Sequence, residues 1–273
     1  MKVLVWIFGV LTALVFVGWL GFRVQPAGFA ALRYSGGEPG TTAIPAGLPA
    51  PVERFLRATY GGDQIPVLTT VVLSGRAEMR PFGSLCLPAR FRFVHNVGQD
   101  YRHYFEVTWF GIPILKVDEG YVDGVSFFDA PVVGSEADHP KLRQGANLAL
   151  WTDAMMVPAV LVLDPRVSWE AVDDDTAVLR VPFEKGQESV LVRFDPDTGL
   201  ATTMEVMRYR GTSDAKKTLW IPSSDEYAVL GGVTMSVKGS ATWFDQKYAW
   251  ATFRVEDVAI NADLGDYLHV RGE

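Results

Sequence analysis

The sequence predicts an α+β chain that is predominantly β. An N-terminal transmembrane helix leads into one large curved antiparallel sheet, half-barrel-like, with one or two helices on its concave face. Three observations carry this expectation. Val3–Phe22 (VLVWIFGVLTALVFVGWLGF) runs for 20 residues without a charge or a proline, and 16 of them are apolar. From Pro66 onward most segments alternate apolar and polar residues with period two and are joined by short, turn-rich connections. One longer stretch of helical spacing, Lys141–Val157, interrupts them.

The first element is argued from length. At 1.5 Å per residue, twenty helical residues span about 30 Å, the thickness of a bilayer's hydrocarbon core. Trp6 and Trp19 lie toward the two ends, where interfacial aromatics are favoured, and Lys2 and Arg23 flank the run. A cleaved signal peptide has an apolar region of only about 7–15 residues before its small-residue site. The nearest such site, Gly28-Phe29-Ala30, lies beyond the apolar run, so an uncleaved anchor is expected. The basic residues are nearly balanced across it. The very short N-terminal tail favours a single pass with the C-terminal domain extracytoplasmic.

Residues 24–47 are rich in Gly and Pro and read as a linker. Leu48–Tyr60 (LPAPVERFLRATY) is a short amphipathic helix: Pro51 suits its first turn, Val52, Phe55, Leu56 and Tyr60 form a stripe, and Gly61-Gly62 ends it. Strands follow at Val67–Arg80, Ala89–His95, Asp100–Phe110, Ile112–Val117, Tyr121–Phe128, Val167–Val172, Thr176–Phe183, Ser189–Phe194, Leu200–Tyr209, Leu219–Val229, Val233–Trp243 and Tyr248–Ile260. Asp173–Asp175, Glu184–Gln187, Asp195–Gly199 and Gly231-Gly232 carry turn chemistry. Short connections without intervening helices favour an antiparallel meander. Within Lys141–Val157, Leu142, Leu148, Trp151, Met155 and Met156 are apolar, and Pro158 ends or kinks the helix before Ala159–Leu163. The domain expectation is an anchor over 1–23, a linker over 24–47 and one β-rich globular domain over 48–273.

Composition narrows the function classes. The chain has 32 acidic and 25 basic residues. Without Lys2 and Arg23 the body carries a net charge of −9. No basic face is available for phosphate, so nucleic acid is not an expected partner. The single cysteine, Cys86, excludes an intramolecular disulfide and a Cys-rich metal framework; it reads as a small, partly buried hydrophobe. No G-x-S-x-G elbow or phosphate-cradling glycine loop occurs. Asp195–Gly199 resembles the start of a calcium loop, but loop position 12 is Val206 rather than Glu.

His95 and His103 invite a metal-site reading. If Asn96–Gln99 is a four-residue turn, position 95 faces 100 and 92 faces 103, and opposed residues share a face. His95 then lies with Phe91, Phe93, Asp100, Arg102 and Tyr104. His103 lies on the other side with Arg90, Arg92, Val94, Tyr101 and Phe105. The histidines point apart, His95 is a cross-strand partner for Asp100, and no metal site or cofactor is expected.

Aromatic content is the stronger signal: 8 Trp, 9 Tyr and 16 Phe. A curved sheet facing a helix that bears Met and Trp can enclose an apolar cavity, or the aromatics can simply fill the core. Trp109, Trp151, Met155, Met156 and Trp220 are the candidate wall, with Asp153 and Arg208 as its polar markers. Asp153 is the one acid of its helical stretch. Against an apolar wall its pKa would rise and it could serve as acid or base; otherwise it faces solvent or partners Arg208 or Arg210.

Several stretches together resemble an uncharacterised bacterial family of membrane-anchored proteins of unknown function. They are Leu48-Pro49-Ala50-Pro51-Val52-Glu53-Arg54-Phe55-Leu56, Val71–Ala77, Asp153–Ala159, Val167-Ser168-Trp169 with Asp174–Ala177, and Met207-Arg208-Tyr209-Arg210. Where that family usually has Glu and Trp, this chain has Asp153 and Met156. The resemblance implies no activity. In shape such proteins resemble lipoprotein-carrier half-barrels, in which a curved sheet and a helical lid hold acyl chains.

The expectation that follows is a non-enzymatic module, held to a lipid bilayer by residues 3–22, whose concave surface binds a lipid or other apolar small molecule. The rivals are an enzyme using Asp153 as acid/base in the same pocket, and a structural or scaffolding domain with a solid core.

Overall fold

A computed structural model describes residues 2–30, 39–131 and 134–272. Its first element, α1 (Lys2–Gly21), is long and apolar enough to cross a membrane, and its apolar length is not covered by the rest of the protein. The stretch read as a linker is partly structured. Phe29 is buried against Tyr104 on the sheet, and β1 (Thr41–Ala43) pairs with β2 (Gln64–Pro66) on either side of α2 (Ala50–Tyr60). α2 buries Val52, Phe55, Leu56 and Thr59, the stripe its spacing predicts, although Tyr60 is only half-buried.

The remaining strands form one antiparallel sheet in two meanders. The first runs β3 (Thr70–Phe82), β4 (Leu85–Asn96), β5 (Asp100–Trp109), β6 (Ile112–Val122), β7 (Val125–Ala130) and β8 (Gly134–Glu136). The second runs β9 (Ser168–Asp173), β10 (Thr176–Phe183), β11 (Gly186–Phe194), β12 (Ala201–Arg208), β13 (Thr218–Leu230), β14 (Val233–Trp243) and β15 (Ala251–Ile260). The halves join where β15 pairs with β3, giving a thirteen-stranded order from β8 at one edge to β9 at the other among the described residues. Ile112–Val122 is one continuous strand where two were expected, and the chain reverses instead at Asp123-Gly124.

Between the meanders the chain crosses the concave face as α3 (Pro140–Asp153), a 3-10 turn (Ala154–Met156) and α4 (Val160–Leu163). α3 touches β6 and β7 on one wing of the sheet and β10 and β12 on the other. Glu136 of β8 also accepts from the Thr212 hydroxyl at 3.0 Å, just beyond β12. The sheet therefore wraps around the helix. This explains why every residue from Gln144 to Thr152 is buried and why the helix has little amphipathic contrast. His139 caps it by accepting from the Lys141 N–H. Beyond β15 the chain folds over the convex face, where Ala262 and Leu268 pack with Val72, Val94 and Val122.

The β4–β5 register corrects the sequence expectation. Asn96 pairs with Asp100, bonded side chain to side chain at 2.8 Å, so the loop has three residues rather than four. Gln99 N–H bonds to the Asn96 carbonyl, and Gly98 takes φ +73°, the positive φ that a type II turn requires at its third position. Every pairing moves by one residue, and a one-residue shift exchanges faces on one strand relative to the other. His95 now lies opposite Tyr101 and His103 opposite Phe93. Both histidines stand on the concave face beside Phe91, Phe93, Tyr101 and Phe105, and Asp100 is not the partner of His95. Arg90, Arg92, Val94, Arg102, Tyr104 and Glu106 take the convex side.

Candidate functional site

The wrapped sheet and the α3 region enclose a cavity of about 350 Å³. β4 and β5 bring Phe91, Phe93 and Phe105 to one wall; β13, β14 and the segment before β15 bring Trp220, Trp243 and Trp250 to the other. Met155 and Met156 close it from the 3-10 turn, whose tight geometry follows from Pro158 stopping the helix just beyond.

Five of the seven residues chosen from sequence line this cavity: Asp153, Met155, Met156, Arg208 and Trp220. Two do not. Trp151 is almost wholly buried on another side of α3, near the β4–β5 turn, with the Arg166 guanidinium 5.7 Å from its ring. Trp109 lies where β5 has run past the cavity, beyond a register shift at Val107/Thr108, and its indole N–H donates to the Gly18 carbonyl of α1 at 3.0 Å. It belongs to the junction with the N-terminal helix. Cys86 is half-buried and its thiol bonds Glu78.

A buried charged cluster lies where α3 ends against β4, β5 and β6. Asp153, the last residue of α3, places Oδ2 2.9 Å from His103 Nε2 and 3.9 Å from His95 Nε2. On the far side of the ring, His103 Nδ1 lies 3.1 Å from Glu119 Oε1 of β6. The His103 ring stacks on Phe93 with centroids 3.8 Å apart, which fixes its plane. Arg208 reaches in from β12, its guanidinium 4.5 Å from the Trp220 ring and 5.6 Å from that of Trp243.

The two imidazoles are tuned in opposite directions. Burial pushes His95 down to about 4, with Asp153 opposing and His103 reinforcing the shift. Burial would lower His103 too, but Asp153 and Glu119 together outweigh it and raise that ring to about 8. His95 Nε2, His103 Nε2 and Asp153 Oδ2 are all buried and none makes an aligned hydrogen bond, although His103 and Asp153 form an ion pair. The 2.9 Å approach of His103 to Asp153 is thus close without being aligned as a hydrogen bond. Among the described residues, His95, His103 and Asp153 also form a group whose ligand-type atoms lie within 4.8 Å of one another.

The sequence reading missed His95, His103 and Glu119, along with the Phe91, Phe93 and Phe105 wall. A signal for the wall existed. Odd positions from 91 to 105 on the two strands are Phe, Phe, His, Tyr, His and Phe, while even positions from 90 to 104 carry Arg, Arg, Val, Asn, Asp, Arg and Tyr. A register that pairs odd with odd positions, as the pairing of 96 with 100 does, keeps those two sets apart.

Residues 39–255 match the family of unknown function DUF6544. The chain belongs to that family. No curated protein matches it. Among solved structures, the DUF6544 chain is similar to a LolA superfamily protein from Nitrosomonas europaea at 12% identity and a TM-score of 0.46, over 81% of this chain and 96% of that one. It is also similar to a DUF1329 family protein from Desulfovibrio piger at 11% identity and a TM-score of 0.42, over 73% of this chain and 89% of that one. A domain named for outer membrane lipoprotein sorting, from Vibrio parahaemolyticus, matches at 9% identity and a TM-score of 0.41, over 72% of this chain and 88% of that one. At these identities the chemistry of this member of DUF6544 has to be read from its own side chains.

Proposed function

We propose that this protein is a membrane-tethered binding module that takes a lipid or other apolar small molecule into the cavity between its concave sheet and the α3 region. The observation that carries the reading is the cavity itself. Its 350 Å³ falls in the range of small-molecule sites, about 300–1,000 Å³. Aromatic rings and thioethers form a large part of its wall, and charged and hydroxyl side chains from several strands line it as well, which suits a ligand with an apolar body and polar groups. Met155 and Met156 have the flexible side chains that accommodate varied apolar shapes. In this reading α1 is the anchor in the bilayer and the globular part lies on the extracytoplasmic side.

The test is native mass spectrometry of the detergent-purified full chain. The expected result is a co-purifying lipid or fatty-acid adduct. A dibrominated fatty acid should then quench the fluorescence of Trp220, Trp243 and Trp250, and a Trp220→Phe, Trp243→Phe, Trp250→Phe variant should lose that quenching. Absence of any adduct, together with quenching that is equal in the triple variant, overturns the reading.

A further inference from the structure

We propose that His95, His103 and Asp153 bind one divalent transition-metal cation, of the Zn²⁺ class, beside the cavity where β4, β5 and the end of α3 meet. The first argument is the convergence of buried ligand-type atoms, none of which makes an aligned hydrogen bond. Two imidazole nitrogens and one carboxylate oxygen are buried together. A buried polar atom left without an aligned partner keeps its full desolvation cost. His103 and Asp153 stand 2.9 Å apart yet miss the alignment that a simple imidazolium–carboxylate pair would adopt. A single cation satisfies all three atoms at once.

Spacing agrees. Ligands about 2.0–2.1 Å from a tetrahedral ion stand roughly 3.4 Å from one another. The carboxylate oxygen lies 2.9 Å from one histidine nitrogen and 3.9 Å from the other, values on either side of that separation. The donor set also selects the metal. Two imidazoles and one carboxylate suit zinc and its transition-metal neighbours, whereas calcium and magnesium take oxygen ligands.

The surroundings have the form of a supporting shell. Glu119 at His103 Nδ1 holds the ring in the tautomer that leaves Nε2 free to coordinate. Asp153 is the last residue of α3, where the final carbonyls carry partial negative charge and a cation is favoured. The local charges are the carboxylates of Asp153 and Glu119 against the Arg208 guanidinium, so a cation is not repelled by a net positive site. His103 and Asp153 both line the cavity, so three protein ligands leave a coordination position open toward it.

The experiment uses the full chain in detergent, stripped by a chelator and titrated with Zn²⁺ in competition with a chromophoric chelator. A parallel titration with Co²⁺ reads coordination directly through its visible absorption. The expected result is one equivalent of Zn²⁺ and a Co²⁺ spectrum of a four- or five-coordinate ion. His95→Gln and Asp153→Asn should each weaken binding by more than Glu119→Gln, for which about 10–100-fold is expected. Asp153→Asn keeps shape and volume, so it serves as the variant least apt to unfold, and far-ultraviolet circular dichroism confirms its fold. Binding no tighter than to buffer overturns the proposal, as does one-equivalent binding that survives both ligand substitutions. The lipid adduct is measured separately, so loss of one finding leaves the other standing.

Discussion

Glu106 shows how much a single buried side chain can hold. It stands on the convex face of β5, with Arg90 at 2.6 Å and the Tyr104 hydroxyl at 2.6 Å on its two oxygens and Lys116 at 3.6 Å. Burial alone would raise its pKa, but Tyr104, Arg90 and Lys116 outweigh that and hold it below the ordinary carboxylate value. A carboxylate lowered in the folded state adds stability above its ordinary pKa, and that stability is lost as pH falls through the folded value. Glu106→Gln should therefore flatten the acid side of a plot of unfolding free energy against pH, and an unchanged acid slope would count against this account. Arg102, also on the convex face, is fully buried against Asp118 at 2.6 Å and bonds the carbonyls of Tyr267 and Gly272. Removing one partner of such a pair costs about 3–5 kcal/mol. Arg102→Met should lower the denaturant midpoint accordingly, and the segment after β15 should become protease-sensitive. A shift below about 1 kcal/mol would mean that the pair behaves as a surface contact.

At the scale of elements, the β4–β5 hairpin decides what the site is. Its turn rests on Gly98, whose φ of +73° costs other residues about 1–2 kcal/mol. A Cβ there would also lie 3.2 Å from Val160 of α4 and 3.2 Å from the Asp164 carboxylate. Gly98→Ala should destabilise the protein by at least about 1 kcal/mol and move the His103 imidazole resonances, since both histidines descend from this turn. Unchanged resonances would show that register is held elsewhere. The same hairpin marks where sequence was informative. Thr176–Phe183 and Val233–Trp243 have the expected bounds because their alternation is clean and their turns carry Asp or Gly. The α3 region was visible from Leu148, Trp151 and Pro158, and its acid was picked out as Asp153. The partners of Asp153 were hidden, because their placement hinged on whether Asn96 belonged to the turn or to the strand. Trp109 and Trp151 were misplaced for a related reason. Period and composition mark a residue as apolar, but which of several apolar surroundings it meets depends on bulges and on how far a strand runs.

For the whole molecule, the antiparallel meander and its curvature around a helix were legible from short connections and one helical interruption, whereas the contacts that close the wings around α3 were not. That closure depends on contacts between residues far apart in the chain, such as Glu136 with Thr212, which no local pattern announces. The junction with α1 is another long-range feature. The Phe110 N–H bonds the Gly21 carbonyl at 2.8 Å, and the Trp109 indole bonds Gly18. A Cβ on Gly21 would come within 2.0 Å of the Trp109 ring. Gly21→Val should therefore break this seat and speed hydrogen exchange at the Phe110 amide. Retained protection there would show that the seat does not depend on the missing side chain.

This seat changes what the N-terminal helix does for the rest of the protein. A slack tether would let the body swing through a hemisphere and meet the bilayer at any angle. Here Arg90 and Arg92 bond the carbonyls of Ala27 and Ala30, so the chain leaving α1 is laid along the sheet. The helix and the sheet are braced to each other like a post and its bracket. If α1 is the anchor proposed above, the body would keep a set height and heading relative to the bilayer. On the proposed reading, such a brace would present the cavity to the membrane from one fixed station rather than from a mobile arm.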